Sequence, residues 1–95
     1  MITNNLLIKL KERDIENITE TRHVLMSMSG KIECLIDIKT ELDIRHGASS
    51  FDIMLITKFD SMEDLEAYLV HPVHVEVAKY IANVMAKGAS VCYES

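Results

Sequence analysis

Two histidines, His71 and His74, stand three residues apart around the chain's only proline, Pro72, in the stretch YLVHPVHVEVAKYIANV that runs from Tyr68 to Val84. Imidazole is the side chain that ordinarily changes charge nearest neutral pH. Partial burial disfavours the charged ring and keeps it neutral near pH 7, the form a general base needs. Tyr68, just upstream, adds a hydroxyl that can hold or polarise a carbonyl oxygen. Such a pair suits removal of a proton from the carbon next to a carbonyl, with His74 as base and Tyr68 on the oxygen. Both residues also have a structural role open to them: His74 can brace a helix junction, and Tyr68 can bury its ring. His71 reads as a cap.

The other reactive side chains offer less. Cys34 and Cys92 lie 58 positions apart, with no CxxC pair and no zinc spacing, so they read as small buried hydrophobes. Neither a metal site nor a cofactor is implied. His23 and His46 read as solvated, and Glu63, Asp64 and Glu66 as an exposed helix face. The six methionines read mostly as core fill, with several able to line a deformable pocket.

The elements that must position His74 and Tyr68 follow from periodicity. Leu6 to Leu10 reads as a strand. Asp14 caps a helix in which Ile15, Ile18, Leu25 and Met28 recur at helical spacing, and Gly30 ends it. Ile32 to Leu42 alternates, with Ile32, Cys34, Ile36 and Ile38 on one side and Leu35 intruding on the other. The RHGASS segment is a turn. Phe51 to Phe59 alternates again, with Phe51, Ile53, Leu55 and Phe59 on one face and Met54 and Ile56 on the opposite one. Ser61 with Asp64 opens a second helix whose stripe is Met62, Leu65 and Leu69. Pro72 interrupts it and suits the first turn of another segment. Val77, Ile81 and Val84 continue the stripe there, Gly88 closes the helix, and ASVCYE is the last strand. From Pro72 onward, His74, Ala78, Ile81 and Met85 fall along one side, so the imidazole reaches the space between helix and sheet.

The order strand, helix, strand, strand, two-part helix, strand is the split βαβ arrangement of α+β ferredoxin-like folds, with a four-stranded antiparallel sheet. It occupies residues 1–95 as one domain. Leu7, Leu35, Met54 and Ile56 fall on the sheet face away from the helices, an apolar surface that a second sheet should cover. Composition agrees: 48% of a 95-residue chain is hydrophobic, which favours association with another copy. The net charge of −5, with no lysine or arginine cluster, gives no footprint for nucleic acid and no attraction to an anionic membrane. Apolar runs are too short to span a bilayer. The opening MITNNLLIKLKERD does not read as a secretory signal, so a cytoplasmic location is expected.

The start LLIKLK, the long piece FDIMLITKFDSMEDLEAYLVHPVHVEVAKYI and the ending VCYE together resemble the stress-responsive A/B barrel (Dabb) family, the dimeric α/β barrels. The most specific piece is HPVH, from His71 to His74. The resemblance covers nearly the whole chain. It implies a homodimer in which two ferredoxin-like sheets pack into a barrel. The family includes a plant polyketide cyclase that closes its substrate by intramolecular aldol condensation. There the second histidine of the motif is the base, and the tyrosine before the motif lies in the pocket; these correspond to His74 and Tyr68. The cyclase's other pocket residues do not carry over: this chain offers Asn4 or Asn5 for its first-strand histidine and Ile53 for its third-strand one, and has no tyrosine near Thr21. The expectation is therefore a small dimeric barrel that binds or transforms a small, hydrophobic, carbonyl-bearing molecule by histidine-mediated proton transfer. The alternative is a non-catalytic binding or stress-related module. A monooxygenase of the same superfamily is a further variant; its haem type usually carries a pocket tryptophan, and this chain has none.

Overall fold

In the computed structural model, which describes residues 1–95, β1 (Ile2–Leu10) is followed by α1 (Ile15–Met26), β2 (Asp37–Leu42), β3 (Ile53–Phe59), α2 (Met62–Leu69), α3 (Pro72–Val84) and β4 (Met85–Glu94). The sheet order is β2-β3-β1-β4, and each neighbouring pair is antiparallel. This is the ferredoxin-like arrangement that the element order implies.

Strand alternation sorts the side chains onto two faces. Ile8 sits opposite Ile53, Leu6 opposite Leu55, and Ile2 opposite Phe59 in the β1–β3 ladder. These point toward the helices. Ile8, Ile53 and Phe59 are almost completely buried there, with Leu25 and Met28 from α1, Leu65 and Tyr68 from α2, and Val77 and Ile81 from α3. Each such side chain removed from water contributes roughly 1.5–3 kcal/mol before entropy is counted.

Several helix ends form as their residue types dictate. The Asp14 carboxylate accepts from the Asn17 amide N–H at 2.9 Å, and the Ser61 hydroxyl accepts from the Asp64 N–H at 3.2 Å. Each satisfies an amide that an opening helix leaves unpaired. Pro72 occupies the first position of α3.

Several boundaries and exposures differ from the expectation. The second strand begins at Asp37, not Ile32, because its only partner, β3, runs out at Phe59. The last rung is the Ile36 N–H donating to the Lys58 carbonyl at 2.9 Å. Residues before it leave the sheet, so Ile32 turns into the core while Leu35 packs against that core from a loop instead of the outer sheet face. Helix α1 closes at Met26, and Gly30 lies in the turns beyond it with φ +77°, a left-handed geometry that suits glycine. Gly88 does not close α3, which ends at Val84 and passes directly into β4. Ile15 and Met62, expected on apolar stripes, are exposed at the starts of their helices.

The face away from the helices carries a central apolar patch, with Lys39, Glu41 and Lys58 beside it. Leu7 pairs with Met54 and with Ala89, and Asn5 with Ile56 and Val91, which groups Leu7, Met54, Ile56 and Val91 in one patch. Val91 is 64% and Tyr93 45% exposed. Edge strand β4 is exposed on its helix-facing side too. Cys92 is consequently exposed, against the expectation of burial, whereas Cys34 is partly buried. No helix is long and apolar enough to cross a membrane.

Candidate functional site

The sheet edge that no helix covers leaves an opening beside α3, and a cavity of about 340 Å³ lies behind it. Its floor is Asn4 and Leu6 of β1, Leu55 of β3 and Ser90 of β4; Leu25 and Met28 form one wall. The helices above contribute Tyr68, His74, Ala78 and Ile81, and Met85, the first residue of β4, joins them. The helical register that starts at Pro72 thus aims His74, Ala78 and Ile81 at one space.

The α2–α3 corner sets the two candidate residues. Tyr68, in the last turn of α2, is 3% exposed. Its ring is tilted against Phe59, with centroids 5.0 Å apart, and against His74, with centroids 4.4 Å apart. Its hydroxyl has one partner in the chain, the Met28 Sδ at 3.8 Å, and thioether sulfur is a weak acceptor. Burial, with the nearby Cys34 thiol adding to it, pushes the phenol pKa up to about 12. Tyr68 is therefore a neutral donor whose hydrogen is barely engaged.

His74 lies 3.0 Å from the Leu69 carbonyl oxygen through Nδ1. A carbonyl only accepts, so in the neutral ring Nδ1 carries the hydrogen and Nε2 keeps the lone pair. Burial lowers the His74 pKa below its usual value, while the Leu69 carbonyl opposes the shift in part. The ring is thus neutral near pH 7, with its basic nitrogen opposite the anchored one. His71 works on the helix itself: its Nδ1 accepts from the Val73 N–H at 3.1 Å, and its Nε2 stands 3.6 Å from a Glu33 carboxylate oxygen. The two histidines divide capping from cavity lining.

The sequence profile of the stress responsive A/B barrel domain, Dabb, matches residues 2–95. The chain belongs to the stress responsive A/B barrel family. Solved structures agree with this A/B barrel domain in fold. A dimeric ferredoxin-like protein of unknown function from Bacteroides fragilis is 25% identical, with a TM-score of 0.84 over 99% of this chain and 95% of that one. A dimeric ferredoxin-like protein of unknown function from Thermobifida fusca is 20% identical, with a TM-score of 0.84 over 99% of this chain and 90% of that one. A hydroxynitrile lyase from Passiflora edulis is 15% identical, with a TM-score of 0.83 over 97% of this chain and 90% of that one. None of the curated proteins matches the sequence.

In this A/B barrel domain the cavity gathers Tyr68 and His74, as their spacing suggests, and leaves out His23 and His46, which are exposed. No cluster of histidine, cysteine and acidic side chains has the form of a metal site. Two features were not legible beforehand. Ser90 comes to the cavity floor, beside Asn4, only through the β1–β4 pairing. Arg13 and Asp52 form a partly buried ion pair, with Nε 3.0 Å from the carboxylate. Asp52 also accepts from the Leu10 N–H at 2.8 Å, and Arg13 donates to the Gly47 and Ser50 carbonyls at 3.0 and 3.1 Å. This pair ties the β2–β3 turn to the end of β1, away from the cavity.

Proposed function

We propose that the cavity takes a small carbonyl-bearing molecule and that His74 transfers a proton on it. The observation that carries this reading is the Leu69 carbonyl bond at 3.0 Å, which commits Nδ1 and leaves Nε2 as the basic nitrogen beside a buried, weakly engaged phenol. In the step, Nε2 accepts the proton from the carbon next to the carbonyl. The C–H electron pair moves into the carbon–carbon bond, and the carbonyl π pair moves onto oxygen. The Tyr68 O–H donates a hydrogen bond to that oxygen, where charge accumulates. Return of a proton from His74 to carbon completes the exchange; attack of the carbanion on a second carbonyl would make a carbon–carbon bond.

A test needs no knowledge of the natural substrate. Deuterium uptake at the carbon beside a ketone is followed by NMR in heavy water. Wild-type protein should accelerate it above buffer, and His74→Ala should lose about 10²–10⁴ of that acceleration. A ketone that binds without accelerated exchange would favour the alternative, a non-catalytic binding module.

We propose also that the domain works as a homodimer, sheet against sheet. The apolar patch of Leu7, Met54, Ile56 and Val91 on the outer sheet face supports this, with Val91 64% exposed in the single chain. The related proteins from Bacteroides fragilis and Thermobifida fusca are described as dimeric. Light scattering at micromolar concentration tests it: a dimer mass is expected, and a monomer would refute it.

A further inference from the structure

His71 grips the first turn of α3 on both sides of the base. We propose that it is a positioning residue for His74 that works only as a neutral ring, so that its protonation loosens the base and slows proton transfer in acid. This rests on His74 being the base. The Val73 N–H donates to His71 Nδ1 at 3.1 Å, and the Val75 N–H donates to the His71 carbonyl at 2.9 Å. Val73 and Val75 are the two chain neighbours of His74. The His71 N–H in turn donates to the Tyr68 carbonyl at 3.1 Å. One residue thus ties the base to the last turn of α2, which carries both the phenol and the Leu69 carbonyl that anchors His74.

The position of one hydrogen makes this grip conditional. His71 Nδ1 accepts from Val73 only through its lone pair, so in the neutral ring the hydrogen is on Nε2. That is the reverse of His74, whose Nδ1 donates. The two rings therefore respond differently to acid. A proton added to His74 leaves its Nδ1–H on the Leu69 carbonyl. A proton added to His71 takes the lone pair that the Val73 N–H needs. Pro72 has no N–H, so the Val73 amide is the first that α3 must satisfy, and loss of the cap frees it.

The surroundings of His71 give a charged ring somewhere else to go. Glu33, in the loop between α1 and β2, has a carboxylate oxygen 3.6 Å from His71 Nε2. A charged ring meets an opposite charge there, while α3 turns the positive end of its dipole toward it. No other charged side chain forms an ion pair with His71. On α2 and α3 the flanking titratable groups are engaged with each other: Tyr68 and His74 stack, and Glu76 pairs with Lys79. The His71 side chain is 23% exposed, so a proton reaches it in the folded chain.

Deuterium uptake into acetophenone, followed by NMR in heavy water at about pH 7.5 and about pH 5.5, tests this, with circular dichroism confirming that each sample is folded. His71→Asn caps with its side-chain oxygen and has no proton to gain. It should match wild type at the higher pH and exceed it at the lower by about 2- to 30-fold, the range that one helix cap is worth. His71→Ala, with no cap, should fall below both at the higher pH by a factor in the same range. Long-range ¹H–¹⁵N correlation at neutral pH should find the hydrogen on His71 Nε2. Equal rates for wild type and His71→Asn at both pH values, an undiminished His71→Ala, or hydrogen on His71 Nδ1 at neutral pH would overturn this inference and leave His74 as the base. If wild-type protein accelerates no exchange at either pH, the proton-transfer reading itself fails and this inference fails with it.

Discussion

Replacing Tyr68 by phenylalanine separates what the hydroxyl does from what the ring does. The ring fills space between Phe59 and His74, with centroids at 5.0 and 4.4 Å, and phenylalanine keeps those contacts. The hydroxyl loses only a 3.8 Å contact to the Met28 sulfur. A buried hydroxyl poorly matched by its partner costs about 1–3 kcal/mol to desolvate, so its removal should leave stability unchanged or raise it by about 1 kcal/mol. For a domain near this size, that is a Tm rise of roughly 4–8 °C. Ketone exchange should move the other way, falling about 10²–10³-fold, the usual loss for one donor to a developing oxyanion. Calorimetry and heavy-water NMR on one sample measure both. A Tm drop of several degrees with exchange unchanged would refute the reasoning, since the hydroxyl would then be a structural group.

Other substitutions probe the remaining parts. Because burial depresses the His74 pKa, the unfolded chain binds the more protons; the associated stability is fully present above the unfolded value of about 6.5. It is lost as pH falls through the lower folded value, so urea midpoints should drop from pH 7 to pH 5, and His74→Gln should flatten that slope. A Cβ on Gly88 would lie 2.9 Å from the Met85 Sδ. Gly88→Ala should therefore push Met85 into the cavity and weaken ketone binding with the fold kept, and adding Met85→Ala should restore it, both read by NMR titration. Asp52→Ala strands the Arg13 guanidinium and the Leu10 N–H, and should cost about 3–5 kcal/mol by urea denaturation. Met54→Lys places a charge in the bare sheet face and should shift light scattering toward monomer.

Local chemistry was the legible part of this chain. Ser61 with Asp64, Asp14 with Asn17, and Pro72 at a helix start each act within four residues, so the sequence carries both partners together. The alternation of Ile53 to Phe59 was legible because β3 is a central strand with a core face and an outer face. Ile32 to Ile36 alternate equally well, yet they lie beyond the end of their partner strand, and pairing decides strand length. Gly88 looked like a helix stop because nothing local reveals that the chain passes from α3 into β4 without a turn. Burial of Cys92 failed for a similar reason: strand residues are buried only where a layer covers them, and β4 lies at an uncovered edge. The candidate site was half legible. His74 and Tyr68 share one corner of sequence, whereas Asn4 and Ser90 meet only through the register of the first and last strands.

The central claim concerns one ring nitrogen. Long-range ¹H–¹⁵N correlation of histidine-labelled protein at neutral pH reports the His74 tautomer directly. The Leu69 carbonyl contact of 3.0 Å predicts a neutral ring with hydrogen on Nδ1 and a bare Nε2, whose resonance shifts when a ketone is added. A ring protonated on Nε2, or doubly protonated, would leave Nε2 without a lone pair to accept the substrate's proton and would contradict Nε2 of His74 as the base.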